Sequence, residues 1–252
     1  MKSPLKSNLS FKGLRLLQER LEPNSTVSSF FLYGGDVEVS LAGRGHTIVA
    51  HTNKAPVYEF WATLLRDPKL LADAVEHLFP TMDHGQLASL QETWTSNRTG
   101  LGRSALFYIL NRCSDMAYAS CGSVDMSRFN PISLSHLRRF DMPGFYPYYD
   151  NCEDPIEGLT SAVRSDYVVL PVGDYNMNLF EYGKNKGPDI TTIHHQRLMQ
   201  ELKKSDKRWL ALYKRHAALF TMYQQYNITM VDAYGRETAD KERCQEILIA
   251  NF

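Results

Sequence analysis

The sequence predicts an α/β fold built on one doubly wound sheet that an insertion interrupts. Residues 28–41 begin as an apolar run that stops at a glycine pair, and residues 166–172 form a second apolar run. Helix-like and strand-like segments also alternate along much of the chain, which is typical of a sheet with helices on both faces. A buried strand that ends in glycines is where such sheets place a nucleotide-like ligand. An ordinary tight turn is the commoner interpretation of the same pattern.

Length and charge set the first limits. A chain of 252 residues with 43% hydrophobic and 22% charged residues can hold one large α/β domain, or one domain with a sizeable insertion. Lysine and arginine number 28, as do aspartate and glutamate. Because these charges balance, any surface for nucleic acid must be a local one.

The cysteines and the N-terminus predict a soluble cytoplasmic protein. The four cysteines lack the close pairing that marks a zinc site, which indicates reduced thiols and no metal. The N-terminus has no apolar core of a signal peptide, and no apolar run approaches the length that spans a membrane. We therefore expect no membrane partner.

The first half of the chain predicts two short strands and five helices. One helix starts near Gly13, and Pro56 stands near the start of another whose apolar residues follow helical spacing. The strands are predicted at 30–41, with a turn at the glycine pair and renewed alternation after it, and at 46–50. The other helices are predicted at 67–79, 86–94 and 102–112.

Residues 113–157 lack clear periodicity. The stretch is rich in Ser, Gly, Pro, Tyr and Asp, with one short helix predicted near 134–140. Such a stretch is typical of a functional loop or an insertion. Its aromatic run, Phe145 to Tyr149, is costly to expose. Stacking on bases, a partner interface and packing onto the insertion's own core stay open for this run.

The second half of the chain returns to alternating elements. Strands are predicted at 166–172, 209–212, 228–231 and 246–249, and helices at 193–202 and 217–223. A long polar loop covers 173–188. The predicted order is β-α-β-α, a helical and loop-rich middle, and β-α-β-α-β-β.

Several of these segments, taken in order, resemble the Dam-type DNA adenine-N6 methyltransferases, many of which are phage-encoded. They are the strand ending in the glycine pair, GRSALFYILNR at 102–112, the strand at 166–172, residues 194–223 and the terminal QEILIANF. The resemblance spans nearly the whole chain. It implies a Rossmann-like S-adenosylmethionine fold. A methyltransferase-like α/β domain would cover 1–55 and 161–252, and a helical target-recognition insertion would cover 56–160.

The resemblance also implies a cofactor and a substrate. Enzymes of this family flip adenine out of the duplex and methylate its exocyclic nitrogen. Their cofactor loop corresponds here to Tyr33, Gly34 and Gly35. Family members hold the cofactor ribose with an acidic residue after the second strand, where this chain has no carboxylate. Thr52 or Asn53 could make one hydrogen bond there.

The family's catalytic turn, Asp-Pro-Pro-Tyr, is replaced. Its acidic group accepts hydrogen bonds from the adenine amino group and its aromatic ring stacks on the flipped base, so both are needed to orient a weak nucleophile. The corresponding residues here are Leu170, Pro171, Val172 and Gly173. Leucine cannot accept a hydrogen bond and glycine has no ring. Asp174 and Tyr175 follow, and a shifted turn could use them instead.

Two further family features are missing. The N-terminal cofactor motif survives only as Lys12-Gly13, and the aromatic DNA-contacting segment expected after Arg112 reads Cys-Ser-Asp-Met-Ala-Tyr. Arginines nevertheless make the insertion locally basic. A residual DNA surface would use Arg103, Arg112, Arg128, Arg138 and Arg139.

The neighbours His194 and His195 point about 100° apart on a helix, which favours one packed and one exposed histidine over a metal site.

These losses favour a retained scaffold without adenine methylation. The leading hypothesis is a pseudoenzyme that binds DNA or a protein partner through the insertion and the 173–188 loop. Two alternatives stay open. One is an active methyltransferase, or another base-modifying enzyme, with a divergent turn at Asp174-Tyr175. The other is a silent subunit of a methyltransferase complex. The sequence leaves open whether S-adenosylmethionine still binds.

Overall fold

The fold was taken from a computed structural model that describes residues 2–7, 10–161, 164–176, 178–179 and 191–252. Helices and strands alternate at both ends of the chain, and a block of helices lies between them. The predicted α/β class, with a Rossmann-like sheet, is confirmed. Within the described ranges no helix is long and apolar enough to cross a bilayer.

Nine strands occur among the described residues. They are β1 (Thr26–Ser29), β2 (Thr47–Thr52), β3 (Phe145–Tyr149), β4 (Tyr167–Gly173), β5 (Asn178–Leu179), β6 (Thr191–Thr192), β7 (Arg208–Lys214), β8 (Asn227–Val231) and β9 (Glu246–Ala250). β5 and β6 form a separate antiparallel pair, and the other seven strands form one sheet.

Nine α-helices connect these strands in the described part of the chain. They are α1 (Leu14–Glu19), α2 (Asp36–Ala42), α3 (Ala55–Arg66), α4 (Pro68–Leu78), α5 (His84–Thr93), α6 (Gly100–Cys113), α7 (Pro131–Arg138), α8 (His195–Lys204) and α9 (Ala217–Met222). α3 packs on α6, and α4 packs on both α6 and α7, so the helices between β2 and β3 form one packed block.

The seven-stranded sheet has the order β3-β2-β1-β4-β7-β9-β8. The strands from β3 to β7 run parallel, and β9 runs antiparallel to both of its neighbours. The chain places β2 and β3 on one side of β1 and then returns to place β4 on the other side. This reversal makes the carboxyl ends of β1 and β4 the topological switch point, where open α/β sheets bind their ligands.

Both faces of the sheet are buried over its centre. All seven residues of β4 are buried, and successive side chains enter opposite cores. Val169 joins the core under the helical block, whereas Val168 and Leu170 join the core under α8 and α9. A strand buried on both faces requires an apolar run without polar interruptions, as the sequence has here.

The prediction that residues 30–41 form a strand with a turn is wrong. The strand ends at Ser29, and residues 36–42 form α2. The apolar residues of α2 alternate, but most of the helix is buried on all sides. When both faces of a short element are buried, hydrophobic periodicity does not separate helix from strand.

The sequence analysis missed β3, which lies in the stretch predicted to be irregular. Residues 145–149 pair in parallel with β2 and form the edge of the sheet. Pro147 lowers the strand prediction, yet an edge strand tolerates proline because its outward side needs no donor. The division into a methyltransferase-like domain and an insertion stays a prediction, and the range 56–160 assigned to the insertion contains this strand of the sheet.

Candidate functional site

The switch-point loop, residues 30–35, connects β1 to α2. Its backbone is held on both sides, because the Phe30 N–H donates to the Val169 carbonyl at 2.9 Å and the Leu32 N–H donates to the His51 carbonyl at 2.8 Å. The loop therefore lies across the carboxyl ends of β2 and β4. The residues predicted to bind the cofactor come together at this edge, namely Tyr33, Gly34, Gly35, Thr52 and Asn53.

Both glycines are required by the chain's own packing. Gly35 has φ 72°, and a Cβ there would lie 2.3 Å from Cζ2 of Trp61. The indole Nε1 of Trp61 donates to the Tyr33 carbonyl at 2.9 Å, which fixes the ring against the loop. A Cβ on Gly34 would lie 2.8 Å from the Cβ of Ser7. The glycine pair thus admits neighbouring parts of the protein at the positions where a ligand would approach.

The two residues predicted near the cofactor ribose make internal hydrogen bonds. The Thr52 hydroxyl accepts from the Lys54 N–H at 3.2 Å, and the Asn53 amide donates to the Glu153 carbonyl at 2.9 Å. Both side chains are buried. The Asn53 bond fastens the end of β2 to the segment that follows β3, and the Thr52 bond closes the turn after β2.

Among the described residues, two small cavities lie where a ligand crevice is expected. One, of about 10 Å³, is lined by residues of the loop and of the β2 end, including Lys54. The other, of about 20 Å³, lies between the loop and Pro171. Phe31 lines both, and its backbone has φ 65°, a left-handed conformation that costs a bulky residue about 1–3 kcal/mol. The ring fills the space between loop and sheet.

These residues do not fit S-adenosylmethionine in this arrangement. A cavity of 10–20 Å³ holds about one water molecule, whereas pockets for cofactor-sized ligands measure about 300–1,000 Å³. The hydrogen-bonding groups of Thr52 and Asn53 are engaged within the protein. Phe31 borders both cavities and is buried in the core under α8 and α9.

His51 and Asp150 form a buried pair at the ends of β2 and β3. The His51 Nδ1 lies 3.2 Å from both carboxylate oxygens. Such a pair can orient a general base. The Phe30 ring stacks on the imidazole at 4.2 Å, and the adjoining cavity has no room for a substrate. In this arrangement the pair joins the two strands.

Two acidic residues start α2 beside the second cavity. The Ser29 hydroxyl donates to Oε1 of Glu38 at 2.6 Å. Burial raises the pKa of Glu38 to about 7, against the partial stabilisation of its anion by Ser29. Burial also raises the pKa of Asp36. Two carboxyl groups with raised pKa values therefore lie in the first turn of α2, beside the second cavity.

The residues predicted to stand in place of the family's catalytic turn belong to β4. Leu170 and Val172 are buried in the core under α8 and α9, and Pro171 faces the small cavity beside the loop. Gly173 ends the strand with φ 81°. An adenine amino group would find no acceptor side chain at these positions.

Asp174 and Tyr175, the suggested substitutes, follow directly at the carboxyl end of β4. Asp174 is exposed, and its Oδ1 accepts from the Asn176 N–H at 2.8 Å. The Tyr175 ring lies between two imidazoles, 4.3 Å from His195 and 4.2 Å from His216, with interplanar angles of 14° and 6°. Since both ring faces are covered, Tyr175 cannot stack on a base without leaving this sandwich.

The predicted DNA-contacting arginines are spread over the helical block. Arg103 forms an ion pair with Glu59, and Arg138 pairs with Asp73 and with Glu76. Arg128 donates to the Ser123 carbonyl at 2.6 Å. These three side chains contribute to the block's own structure.

The other two differ in exposure. Arg112 is half-buried, and its Nε has no hydrogen-bond partner among the described residues. Arg139 is exposed and forms no ion pair with a described residue. Residues 177 and 180–188 of the predicted binding loop lie outside the described residues.

Sequence reasoning missed the residues that surround Tyr175. The sequence analysis considers His195 only with its neighbour His194 and does not consider His216. The signal that could have joined them is that each lies at the start of a helix in the second half of the chain, His195 in α8 and His216 just before α9. In the described residues no group of three or more metal-ligating side chains occurs.

Replacing Gly35 tests the contact with Trp61. Gly35→Ala is expected to lower the free energy of unfolding by about 3 kcal/mol, because alanine is strained at this φ and collides with the indole. Chemical denaturation measures this change in the free energy of unfolding. The matched control, Gly85→Ala in α5, meets only an ordinary contact at 3.4 Å and should change stability by less than about 1 kcal/mol. Equal effects of both variants would contradict the packing role of Gly35.

Replacing Glu38 tests its buried protonated form. Because the folded pKa is about 7 and the ordinary value is 4.5, the carboxyl group stabilises the fold below about pH 4.5, and this contribution disappears as pH rises through 7. Glu38→Gln should remove this pH-dependent loss of folding stability, which is at most about 3 kcal/mol. Denaturation across this pH range measures the difference, with the exposed Glu237→Gln as control. Parallel pH curves for wild type and Glu38→Gln would rule the assignment out.

Comparisons with known proteins add little. No protein-family model and no curated protein matches the sequence. Among solved structures, the chain is similar to a SAM-dependent methyltransferase from Neisseria gonorrhoeae, with a TM-score of 0.32 and 11% identity over 97% of this chain and 73% of that chain. Values this low carry no argument about activity, so function has to be inferred from this chain's own geometry.

Proposed function

We propose that this protein is a methyltransferase-like scaffold that no longer methylates and acts as a binding module. The observation that carries the proposal is the filled switch point, where cavities of about 10 and 20 Å³ replace a ligand crevice. An enzyme of this class must admit a cofactor there. The loop that should receive it packs instead on Trp61 and Ser7.

The catalytic position supports the same proposal. A methyl transfer to an amino nitrogen needs an acceptor that orients the nitrogen and a surface that holds the base. Leu170 and Gly173 supply neither. These residues are part of a buried strand, so a local rearrangement that restored the chemistry would disturb the core under α8 and α9.

An active enzyme with a divergent turn is the main alternative. It would use Asp174 as acceptor and Tyr175 as stacking surface. Both residues follow β4 at the carboxyl edge of the sheet, where open α/β sheets bind their ligands. Against this, two imidazoles cover the faces of Tyr175. Activity would also require the closed switch point to open, so this alternative needs two rearrangements where the binding module needs none.

The exposed aromatic residues favour a protein as the partner. Tyr146 and Tyr148 on β3 are 58% and 49% exposed. A groove of about 700 Å³ is lined by Tyr146, Tyr58 and Leu65 among others. Tyrosine is enriched at the energetic centres of protein interfaces because it is large, rigid and amphipathic. A silent subunit that pairs with an active methyltransferase is one form of such a module.

DNA is the less favoured partner. Phosphate contacts need cationic side chains that are available to the backbone of the nucleic acid. Arg103 and Arg138 are neutralised by carboxylates of the same helical block. Exposed cations such as Arg98 and Arg139 remain in this block. Replacing these two arginines therefore tests whether the block binds DNA.

Cofactor binding is the first test. Calorimetric titration of the full chain with S-adenosylmethionine should show no binding tighter than about 1 mM, because the crevice is filled. Phe31→Gly is the informative variant, since glycine adopts the left-handed backbone without strain and removes the ring from the crevice. Micromolar binding to the wild-type chain would contradict the proposal and revive the divergent enzyme. Binding only to Phe31→Gly would identify the ring as the barrier.

Duplex binding is the second test. Fluorescence anisotropy at physiological salt should give no dissociation constant tighter than about 1 μM, the range of non-specific binding. Arg98→Glu with Arg139→Glu should change little, and Arg15→Glu in α1 is the control. Tight duplex binding whose affinity decreases steeply with salt would contradict this expectation. If Arg98→Glu with Arg139→Glu also abolished that binding, DNA would be established as the partner.

A further inference from the structure

An open groove of about 700 Å³ lies between α3 and the edge strand β3. One wall is a stripe of α3 in which Tyr58, Ala62 and Leu65 follow helical spacing. The other wall is the segment from Phe140 to Pro147, which leads into β3 and includes its first residues. The groove therefore joins a helix face to the free edge of the sheet.

The backbone of β3 excludes a β-strand as the occupant of this groove. The Gly144 carbonyl and the Asp150 N–H bond to β2, so the backbone groups of residues 145, 147 and 149 point away from β2. Pro147 has no N–H, and the Phe145 N–H already donates to the preceding turn at 3.4 Å. A strand added to this edge would leave most of its facing carbonyls without a donor.

Hydrogen-bond donors on the groove walls distinguish a helix from an extended segment. Tyr58 and Tyr146 line the groove, and neither hydroxyl bonds to a described residue. Arg66 also lines it, is exposed and bonds to no described residue. Covering a donor without giving it an acceptor is costly. A helix has used its carbonyls internally, whereas a polyproline II segment has no internal hydrogen bonds and can accept from these groups.

The charges of the groove fit the same kind of ligand. Among the lining residues only Arg66 and Asp141 are charged, and Asp141 is exposed and forms no ion pair with a described residue. A carboxylate only accepts hydrogen bonds, and proline has no N–H to donate. Asp141 therefore needs a basic side chain of the ligand. One cation and one anion cancel, which does not suit a phosphate backbone.

We propose that the groove between α3 and β3 binds a proline-rich segment of a partner protein, in the polyproline II conformation and with a basic residue beside Asp141. Aromatic-lined grooves recognise such segments because the ligand is ordered before it binds. Tyr58 and Tyr146, together with three prolines, supply this lining. The proposal rests on the proposed function as a protein-binding module and names the class of its partner.

Fluorescence anisotropy of labelled peptides tests the groove. Two probes of about ten residues carry proline at most positions and an arginine at one end or at the other. At least one should bind the full chain saturably, with a Kd below about 500 μM. A glycine-serine peptide with the same arginine should not bind. Failure of both proline probes below this limit, equal binding of the glycine-serine peptide, or tighter binding of an amphipathic helical peptide would overturn the proposal.

Tyrosine variants locate the contact. Tyr146→Ala should weaken binding of the proline probe at least tenfold, because it removes the ring and the hydroxyl. Tyr58→Phe removes only the donor and should weaken binding about fivefold. The matched control is Tyr234→Ala, which follows β8 at the opposite edge of the sheet, is 83% exposed and should leave the affinity unchanged. An unchanged affinity in Tyr146→Ala would overturn the proposal.

Paired changes in protein and peptide test the charge contact. Asp141→Asn should weaken binding of the arginine probe about threefold at low salt. The same variant should not affect a probe in which glutamine replaces the arginine. An equal loss for both probes would overturn the assignment of the basic residue to Asp141.

Titration of the same protein sample with S-adenosylmethionine separates this proposal from the proposed function. Binding of the cofactor together with the proline probe would refute the loss of methyltransferase function and leave the groove standing. Binding of neither would refute the groove alone.

Discussion

The contact between Trp61 and the switch-point loop constrains the rest of this structure. The indole donates to the Tyr33 carbonyl and occupies the space that a side chain at position 35 would need. Trp61 is itself fixed, because it is fully buried and contacts Phe140 and Phe145. The loop path is thereby tied to the helical block and to the edge strand β3. A loop held this way cannot shift to admit a ligand without disturbing the sheet edge.

The filled switch point and the apolar end of β4 have a common physical basis. Polar groups that would contact a ligand must otherwise find partners inside the protein, because buried donors and acceptors are costly to leave unpaired. Asn53 and Thr52 have such partners, and Glu38 is paired with Ser29. Leu170 needs no such partner, because its buried side chain is apolar. The carboxyl edge is therefore stable without a ligand.

Much of the fold followed from the sequence because its elements are long or clearly bounded. Helices α3, α4 and α6 have apolar stripes with proline or threonine at their starts, and β4 is a continuous apolar run. The failures, α2 and β3, have physical reasons. α2 is short and buried on most sides, so its periodicity was ambiguous. β3 carries a proline that only its edge position permits, and that position depends on pairing with β2, about a hundred residues earlier.

The sequence indicated which residues are candidates for a cofactor site but not how they pack. Tyr33, Gly34 and Gly35 lie in the loop after β1, which ends at Ser29, and the fold brings Thr52 and Asn53 beside that loop. Whether a glycine serves a ligand or a neighbouring side chain depends on long-range packing, which no local pattern encodes. The same holds for Tyr175, whose ring could face a base or a histidine. On both sides of β4 the chain's own aromatic residues occupy the carboxyl edge of the sheet, Phe31 in the switch-point loop and Tyr175 between its two histidines.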